Sequence, residues 1–272
     1  MIELSPERIA AAAHADVAHP GKGERPERGV IDSREVAPGD LFFGLPGERS
    51  NGGEFAGAAL QAGAWGVVVE PGRARALASE RSGAGGAGGG WILASADPLR
   101  SLQRLAHEWR NTLGCPVVGI TGSTGKTSVK DICRALLAER VHASRENYNT
   151  EIGVPLAVLE APPESEVLVL EMAMRGVGQI AELCQIAAPD VAAITNVGPV
   201  HIELLGTLEA IAAAKAEILA GLGEAGTAVV PADAEALAPH LDRRLETLTF
   251  GPGGDVLAVE PRVAGGETTA LI

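Results

Sequence analysis

Aromatic side chains are scarce: three Trp, one Tyr and four Phe make up 3% of 272 residues. The core must therefore be built from Ala, Val, Leu and Ile, in a composition that is 46% apolar and 21% charged and so globular rather than disordered. Cysteine is scarcer still. Cys115, Cys133 and Cys184 form an odd, scattered set with no Cys-x-x-Cys pair. That argues against a structural zinc site and suits small buried hydrophobes in a reducing cytosol. Basic residues are outnumbered, 22 Lys and Arg against 35 Asp and Glu, for a formal net charge of −13. Such a chain fits neither nucleic acid nor an anionic membrane, so any anionic ligand has to be held by a local site. No apolar run reaches the ~18 residues a membrane span requires. The opening MIELSPERIA lacks the basic-then-apolar order of a signal peptide.

Glycine, by contrast, is abundant: 35 of 272 residues, about 13% against a usual ~7%. The length suits one large domain or two of ordinary size. Ser5-Pro6-Glu7 reads as cap, first helical position and acidic first turn of a short Ala-rich helix. Strand-like pieces follow at 29–34, 40–45 and 65–70, with helical character at 54–62 and a further strand at 91–95. Ser82–Gly90 reads as a flexible surface excursion. Asp97-Pro98 opens a helix whose apolar positions Leu99, Leu102, Leu105, Ala106, Trp109 and Leu113 keep helical spacing until Gly114 ends it. A domain boundary is expected near residue 110. Beyond it, short apolar strands at 116–120, 166–171, 190–195 and 228–230 alternate with helices through Leu137, at 179–187 and at 207–222. That rhythm predicts an α/β fold with a parallel sheet covered on both faces, whose ligands sit at the carboxyl ends of the strands.

Gly119-Ile-Thr-Gly-Ser-Thr-Gly-Lys-Thr127 follows a strand and opens a helix, the context a phosphate-binding loop needs. Glycines let backbone N–H groups converge on phosphate oxygens, and the helix N-terminus adds positive potential. Lys126 is a point charge for the β- and γ-phosphates, and the Thr127 hydroxyl suits Mg²⁺. The spacing is a variant, since Ile120 stands where the common loop has glycine.

Three more groups fall at strand ends. Glu171 closes an apolar strand and is either a solvated carboxylate or the second Mg²⁺ partner. His201 follows the 190–195 strand by a short loop and is either structural or functional. Lys215 lies on the apolar stripe Leu208, Ile211, Ala212, Ile218, Leu219 and Leu222. It either snorkels at the rim of that stripe or is a desolvated amine with a lowered pKa. A neutral amine can take up CO₂ as a carbamate and so become a carboxylate-like metal ligand.

Taken together, Gly122-Ser-Thr-Gly-Lys-Thr-Ser128, Asn147-Tyr-Asn-Thr-Glu-Ile-Gly-Val-Pro155, Leu-Glu171-Met-Ala-Met, Thr195-Asn-Val-Gly-Pro-Val-His201 and Ala214-Lys215-Ala-Glu-Ile resemble the Mur ligases of peptidoglycan synthesis. Asp32-Ser-Arg34, Pro38-Gly-Asp-Leu-Phe and Gly47-Glu-Arg resemble the N-terminal domain of the late-acting members. The resemblance covers essentially the whole chain. It implies an α/β UDP-substrate domain over 1–110 and a central P-loop-type parallel-sheet ATPase domain over 111–272. The family's third, C-terminal domain is absent, and the chain stops in what reads as an unfinished strand. Either the sequence is a fragment or the enzyme is truncated.

The implied reaction is ATP-dependent. ATP phosphorylates the terminal carboxylate of UDP-N-acetylmuramoyl-tripeptide, and the amine of D-alanyl-D-alanine attacks the acyl phosphate. Gly122, Ser123, Thr124, Gly125, Lys126, Thr127, Ser128 and Asn196 would hold ATP. Thr127 and Glu171 would hold one Mg²⁺, and His201 with a carbamylated Lys215 a second. Lys126, Lys215 and His201 would act in catalysis. Asn149 and Thr150 would face the substrate, and Ser33, Arg34, Arg49 and Asn51 would line the UDP site. The expected state is a cytoplasmic monomer that, as it stands, binds ligands without completing ligation. Two alternatives remain: the preceding family member, which adds a diamino acid to the UDP-linked dipeptide, and a nucleotide-binding fragment without catalysis.

Overall fold

The computed structural model describes residues 2–47, 50–83, 89–137, 140–200, 202–257, 259–264 and 267–271. Its contacts divide into two compact units, Met1–Cys115 with Glu151–Ser165, and Pro116–Thr150 with Glu166–Ile272.

The first unit contains α1 (Pro6–Ala12), β1 (Asp16–His19), β2 (Gly29–Val30), β3 (Leu41–Phe43), α2 (Ala56–Gln61), β4 (Gly66–Val69), α3 (Pro71–Gly83), β5 (Trp91–Ala94) and α4 (Pro98–Leu113). The sheet order is β1-β5-β4-β3-β2, parallel except for β1. Phe42, Val67, Val69 and Ile92 of this sheet pack with Ala56, Ala59, Leu60, Ala74 and Leu77 of α2 and α3 in one buried cluster. β2 is shorter than the strand expected at 29–34. Asp32 Oδ1 accepts the Arg34 N–H at 2.9 Å and turns the chain there.

Helix α4 starts and stops where its sequence signals lie. Asp97 Oδ1 accepts the Arg100 N–H at 3.0 Å, and Gly114 ends the helix in the left-handed region at φ 64°. Leu102, Leu105, Ala106 and Trp109 of its stripe are buried. The boundary expected near residue 110 falls inside this helix, and the first unit runs on to Cys115. Asp40 is 1% exposed. It accepts from Arg28 Nε and Nη2, each at 3.2 Å, and from the Ala37 N–H at 2.8 Å.

The second unit begins with β6 (Val117–Thr121), α5 (Lys126–Leu136) and β7 (Val141–Ala143). The chain then gives α6 (Gly153–Leu159) to the first unit, where all seven of its residues are buried. A helix apolar all round can only be an interior one. Nearby, Trp109 Nε1 donates to the Ala161 carbonyl at 3.2 Å. The second unit resumes with β8 (Val167–Glu171), α7 (Gln179–Ala187), β9 (Val191–Ile194), α8 (Ile202–Leu205), α9 (Leu208–Ala220), β10 (Thr227–Pro231) and β11 (Glu246–Phe250). Its six-stranded sheet has the order β11-β10-β9-β6-β8-β7 and is parallel throughout. β12 (Val259–Ala264) and β13 (Glu267–Leu271) form a separate antiparallel pair, so the strand expected at the chain's end has a partner.

Of the expected excursion at 82–90, residues 84–88 lie outside the described residues and Ser82 and Gly83 finish α3. Cys115 and Cys184 are buried and Cys133 is half-buried, all three as free thiols. Among the described residues no helix is long and apolar enough to cross a membrane.

The Asp40 carboxylate yields the first prediction. Asp40→Ala leaves the Ala37 N–H without its acceptor and the partly exposed Arg28 guanidinium with the Glu35 carbonyl and solvent, and should lower stability by about 2 kcal/mol. Urea unfolding with an unchanged midpoint would show that the buried Asp40 carboxylate is not what holds the turn before β3.

Candidate functional site

The second unit gathers its polar groups at the carboxyl ends of β6, β8 and β9, which are neighbours in the sheet. β6 ends at Thr121 and α5 starts at Lys126. The intervening turn depends on two glycines with positive φ, Gly122 at 150° and Gly125 at 79°. A Cβ on Gly122 would overlap Thr195 Oγ1. Gly125 caps α5 without a side-chain acceptor. The first-turn N–H groups of α5 therefore present their positive end to the loop.

The loop is held from the strand beside it. Asn196, just past β9, accepts the Ser123 N–H at 2.9 Å and the Thr124 N–H at 3.0 Å through Oδ1. Its Nδ2 donates to Thr124 Oγ1 at 2.7 Å. Thr195 Oγ1 donates to the Thr124 carbonyl. Ser123 Oγ donates to the Gly198 carbonyl at 3.0 Å and accepts the Gly198 N–H at 2.8 Å. Lys126 bends back so that Nζ donates to the Gly122 carbonyl at 3.0 Å.

Glu171, the last residue of β8, is 6% exposed. Its Oε2 accepts from Thr127 Oγ1 at 2.8 Å and its Oε1 from Asn149 Nδ2 at 2.9 Å. Its N–H donates to Ser144 Oγ at 3.1 Å, and the Ser144 carbonyl accepts from the buried Lys130 Nζ at 2.9 Å. A hydroxyl and a carboxylate in contact are hard oxygen donors suited to Mg²⁺, which binds through one or two carboxylates plus phosphate oxygens and water. Among the described residues no cluster of three or more His, Cys, Asp or Glu suited to a metal occurs, so the Thr127–Glu171 pair fits an ion that takes most of its ligands from phosphate and water.

Lys215 is buried, 2% exposed, on α9. Burial, and secondarily the nearby charge of Lys126, pulls its pKa down to about 8. It makes no hydrogen bond or ion pair among the described residues. The desolvated amine, rather than a snorkelling one, is thus the environment observed.

The residues expected to contact substrate are distributed between the two units. Asn149 holds Glu171, and Thr150 is exposed next to it in the chain. In the first unit Arg34 forms an ion pair with Asp32, whose carboxyl the guanidinium holds down at about 2. Ser33 sits between them in the same turn. Asn51 Oδ1 accepts the Gly53 N–H at 2.9 Å, capping a 3-10 turn at Gly52–Phe55, and Nδ2 donates to Glu70 Oε2 at 3.2 Å. Arg49 and His201 lie outside the described residues. The sequence reading gave no role to Thr195, Gly198 or Ser144. The first two stand in the Thr195–His201 motif itself, and Ser144 carries no sequence signal.

A profile described as the Mur ligase middle domain matches residues 120–263, and one described as Mur ligase family, catalytic domain matches residues 30–84. The chain belongs to the Mur ligase family. It is 41% identical over 230 residues to the UDP-N-acetylmuramoyl-tripeptide–D-alanyl-D-alanine ligase of Synechocystis, covering 83% of this chain and 48% of that one. The crystal structure of MurF ligase from Thermotoga maritima in complex with ADP aligns with a TM-score of 0.74 at 36% identity, over 90% of this chain and 55% of that one. A MurF crystal structure from Acinetobacter baumannii aligns with a TM-score of 0.84 at 26% identity, over 98% and 57%. The chain spans about half the length of the curated relatives it matches.

The crowding at Gly122 is testable by nucleotide binding. Gly122→Ala should leave the sheet folded while pushing Thr195 and the loop apart, with at least about tenfold weaker Mg-ADP binding. Wild-type affinity in calorimetry would mean that the loop adapts at no cost.

Proposed function

We propose that this chain carries the substrate-nucleotide and ATP portions of a ligase that joins D-alanyl-D-alanine to UDP-N-acetylmuramoyl-tripeptide. The observation that carries the reading is the Thr127–Glu171 contact at the mouth of a phosphate loop, in a chain of the Mur ligase family. The names of its relatives support the choice of substrate.

The chemistry sets the requirements. A carboxylate oxygen of the tripeptide attacks the γ-phosphorus of ATP, the bond to ADP breaks and an acyl phosphate forms. The amine then attacks the acyl carbon, phosphate leaves and the amine loses a proton. Bringing a carboxylate to a triphosphate joins anions, so cations must neutralise them. In this reading Gly122–Ser128 form the phosphate loop: Asn196 holds the Ser123 and Thr124 N–H groups and so the loop's shape, while the N–H groups of Gly125–Ser128 and the Lys126 ammonium cradle the phosphates. Mg²⁺, when bound, neutralises the phosphate oxygens, held by Thr127 and Glu171 at one position and by His201 and Lys215 at a second.

Lys215 serves that second position as a carbamate. Its neutral amine nitrogen bonds the carbon of CO₂ and one proton leaves to solvent, turning a neutral amine into an anionic oxygen ligand. Ser33, Arg34, Arg49 and Asn51 are assigned to the UDP end, and Asn149 and Thr150 to the peptide end. The reading places the reaction in the cytoplasm with the chain acting as a monomer.

Two measurements test it. Lys126→Ala deletes the phosphate charge and should weaken Mg-ATP binding by at least about tenfold in calorimetry while the circular dichroism spectrum stays unchanged. Equal affinity in a folded variant would remove the loop from the function. For Lys215, a ¹³C NMR carbamate signal is expected from ¹³CO₂ in the presence of Mg²⁺. Only the neutral amine reacts, so at fixed CO₂ concentration the signal should grow as pH rises through about 8. It should be missing in Lys215→Met. A pH-independent signal, or one that survives that substitution, would defeat the carbamate assignment.

A further inference from the structure

We propose that Thr121 is the positioning residue for the head group of Lys215, its hydroxyl donating a hydrogen bond to the Lys215 carbamate. The inference rests on the carbamate reading above and adds a residue to it.

Thr121 is the last residue of β6 and is 0% exposed. Its Oγ1 is a buried polar atom with no hydrogen-bond partner among the described residues. Such an atom costs free energy in the folded chain, a cost recovered only in a state that gives it a partner. The strand around it is regular: Thr121 pairs with Ile194 in the ladder and its carbonyl accepts the Thr195 N–H at 2.9 Å. Side chains along β6 therefore alternate, and Thr121 shares a face with Gly119.

That face is turned toward α9. A Cβ built on Gly119 would stand 3.2 Å from Ile218 Cδ1. Lys215 precedes Ile218 on α9 by one helical turn and is itself buried. Because α9 connects the parallel neighbours β9 and β10, it runs back against the strand direction, so the turn before Ile218 lies toward the carboxyl, loop end of β6, where Thr121 stands. Two buried polar side chains thus stand on one face of the sheet at one end of one strand, and neither has a hydrogen-bond partner among the described residues.

An ammonium would use the hydroxyl only as an acceptor, and a neutral amine could accept from it only through the single lone pair that must attack CO₂. A carbamate supplies an acceptor oxygen, and the Thr121 hydroxyl is then a donor that fixes the rotation of the new group about the nitrogen–carbon bond. The other lone pairs of the carbamate stay available for a cation. Valine at this position keeps the shape and removes the donor.

Three variants, Thr121→Val, Thr121→Ser and Lys215→Met, should be compared with the wild-type chain by thermal unfolding without nucleotide and by ¹³C NMR with ¹³CO₂ and Mg-ADP. Thr121→Val should unfold at a temperature equal to or about 2 °C above that of wild type, because it removes an unsatisfied polar atom. The same variant should need roughly tenfold more CO₂ to reach half its carbamate signal, the size of one hydrogen bond to a charged group. Thr121→Ser should restore uptake, which a purely structural role for the methyl group would not predict. Carbamate formation at wild-type CO₂ concentrations in Thr121→Val overturns the proposal. So does a midpoint several degrees below wild type, which would mean that the hydroxyl already has a partner. If the wild-type chain itself gives no signal at Lys215, the carbamate reading fails and takes this inference with it.

Discussion

The carboxamide of Asn196 is the contact on which the shape of the site depends. A turn that aims its N–H groups at a ligand leaves them without partners in the turn itself. Here the carboxamide accepts two of them, from Ser123 and Thr124, and its own N–H binds the Thr124 hydroxyl. Because β6 and β9 are paired in parallel, with Gly119 opposite Ala192 and Thr121 opposite Ile194, their ends leave the sheet side by side. The clamp needs that adjacency and nothing from more distant parts of the chain. It also explains why position 122 has to be glycine: Thr195 closes on the loop tightly enough that no Cβ fits between them. The first-turn N–H groups of α5, beyond the clamped segment, stay directed at the site.

The charges are partitioned so that they do not cancel one another. Glu171 is held by a hydroxyl and a carboxamide, both neutral, and Lys126 by a backbone carbonyl. A Lys126–Glu171 ion pair would satisfy both groups and leave neither for a ligand. With neutral partners each side chain is oriented without being paired to an opposite charge, the arrangement that the proposed roles, Glu171 toward a metal and Lys126 toward phosphate, would need. In a chain with a net charge of −13, an anion site would depend on such a local arrangement.

The site was legible in the sequence wherever a side chain contradicts its surroundings. A lysine on an apolar stripe, an acid closing a buried strand and a Gly-Lys-Thr between strand and helix each break a local pattern, and Lys215, Glu171 and the loop stand where those breaks put them. Residues that conform to pattern were not legible. Thr121 looks like any β-branched strand residue, and Ser144 like any polar residue after a short edge strand. The helix at Gly153–Leu159 is apolar on every side and has no period to read, so its return to the first unit left no trace. α3 escaped for the opposite reason, since among Arg73, Arg75, Glu80 and Arg81 only Ala74, Leu77 and Ala78 face the core. Asn51 and Arg34 were expected at a ligand, and the structure gives each a local partner that shapes its own turn.

The lysine on α9 decides between a global and a local electrostatic effect. The acidic surplus of the chain would by itself raise a lysine's pKa, but charges beyond the Debye length of ~8 Å are largely screened at physiological salt. Burial, and secondarily the Lys126 charge, act locally and both pull the pKa down, from 10.5 to about 8. A depression of that size corresponds to about 3 kcal/mol against the charged form. The sign matters. Below about pH 8 both folded and unfolded chains carry the proton and the folded chain bears the whole cost. Between about 8 and 10.5 the folded chain has lost the proton that the unfolded chain retains, and the cost fades as pH rises. At neutral pH it is therefore a sizeable part of the 5–15 kcal/mol that holds a domain together. Leucine or methionine would remove it at that position. A buried amine that lowers stability and is held by no counter-ion among the described residues is the pattern expected of a group kept for a ligand, the role proposed for Lys215 above.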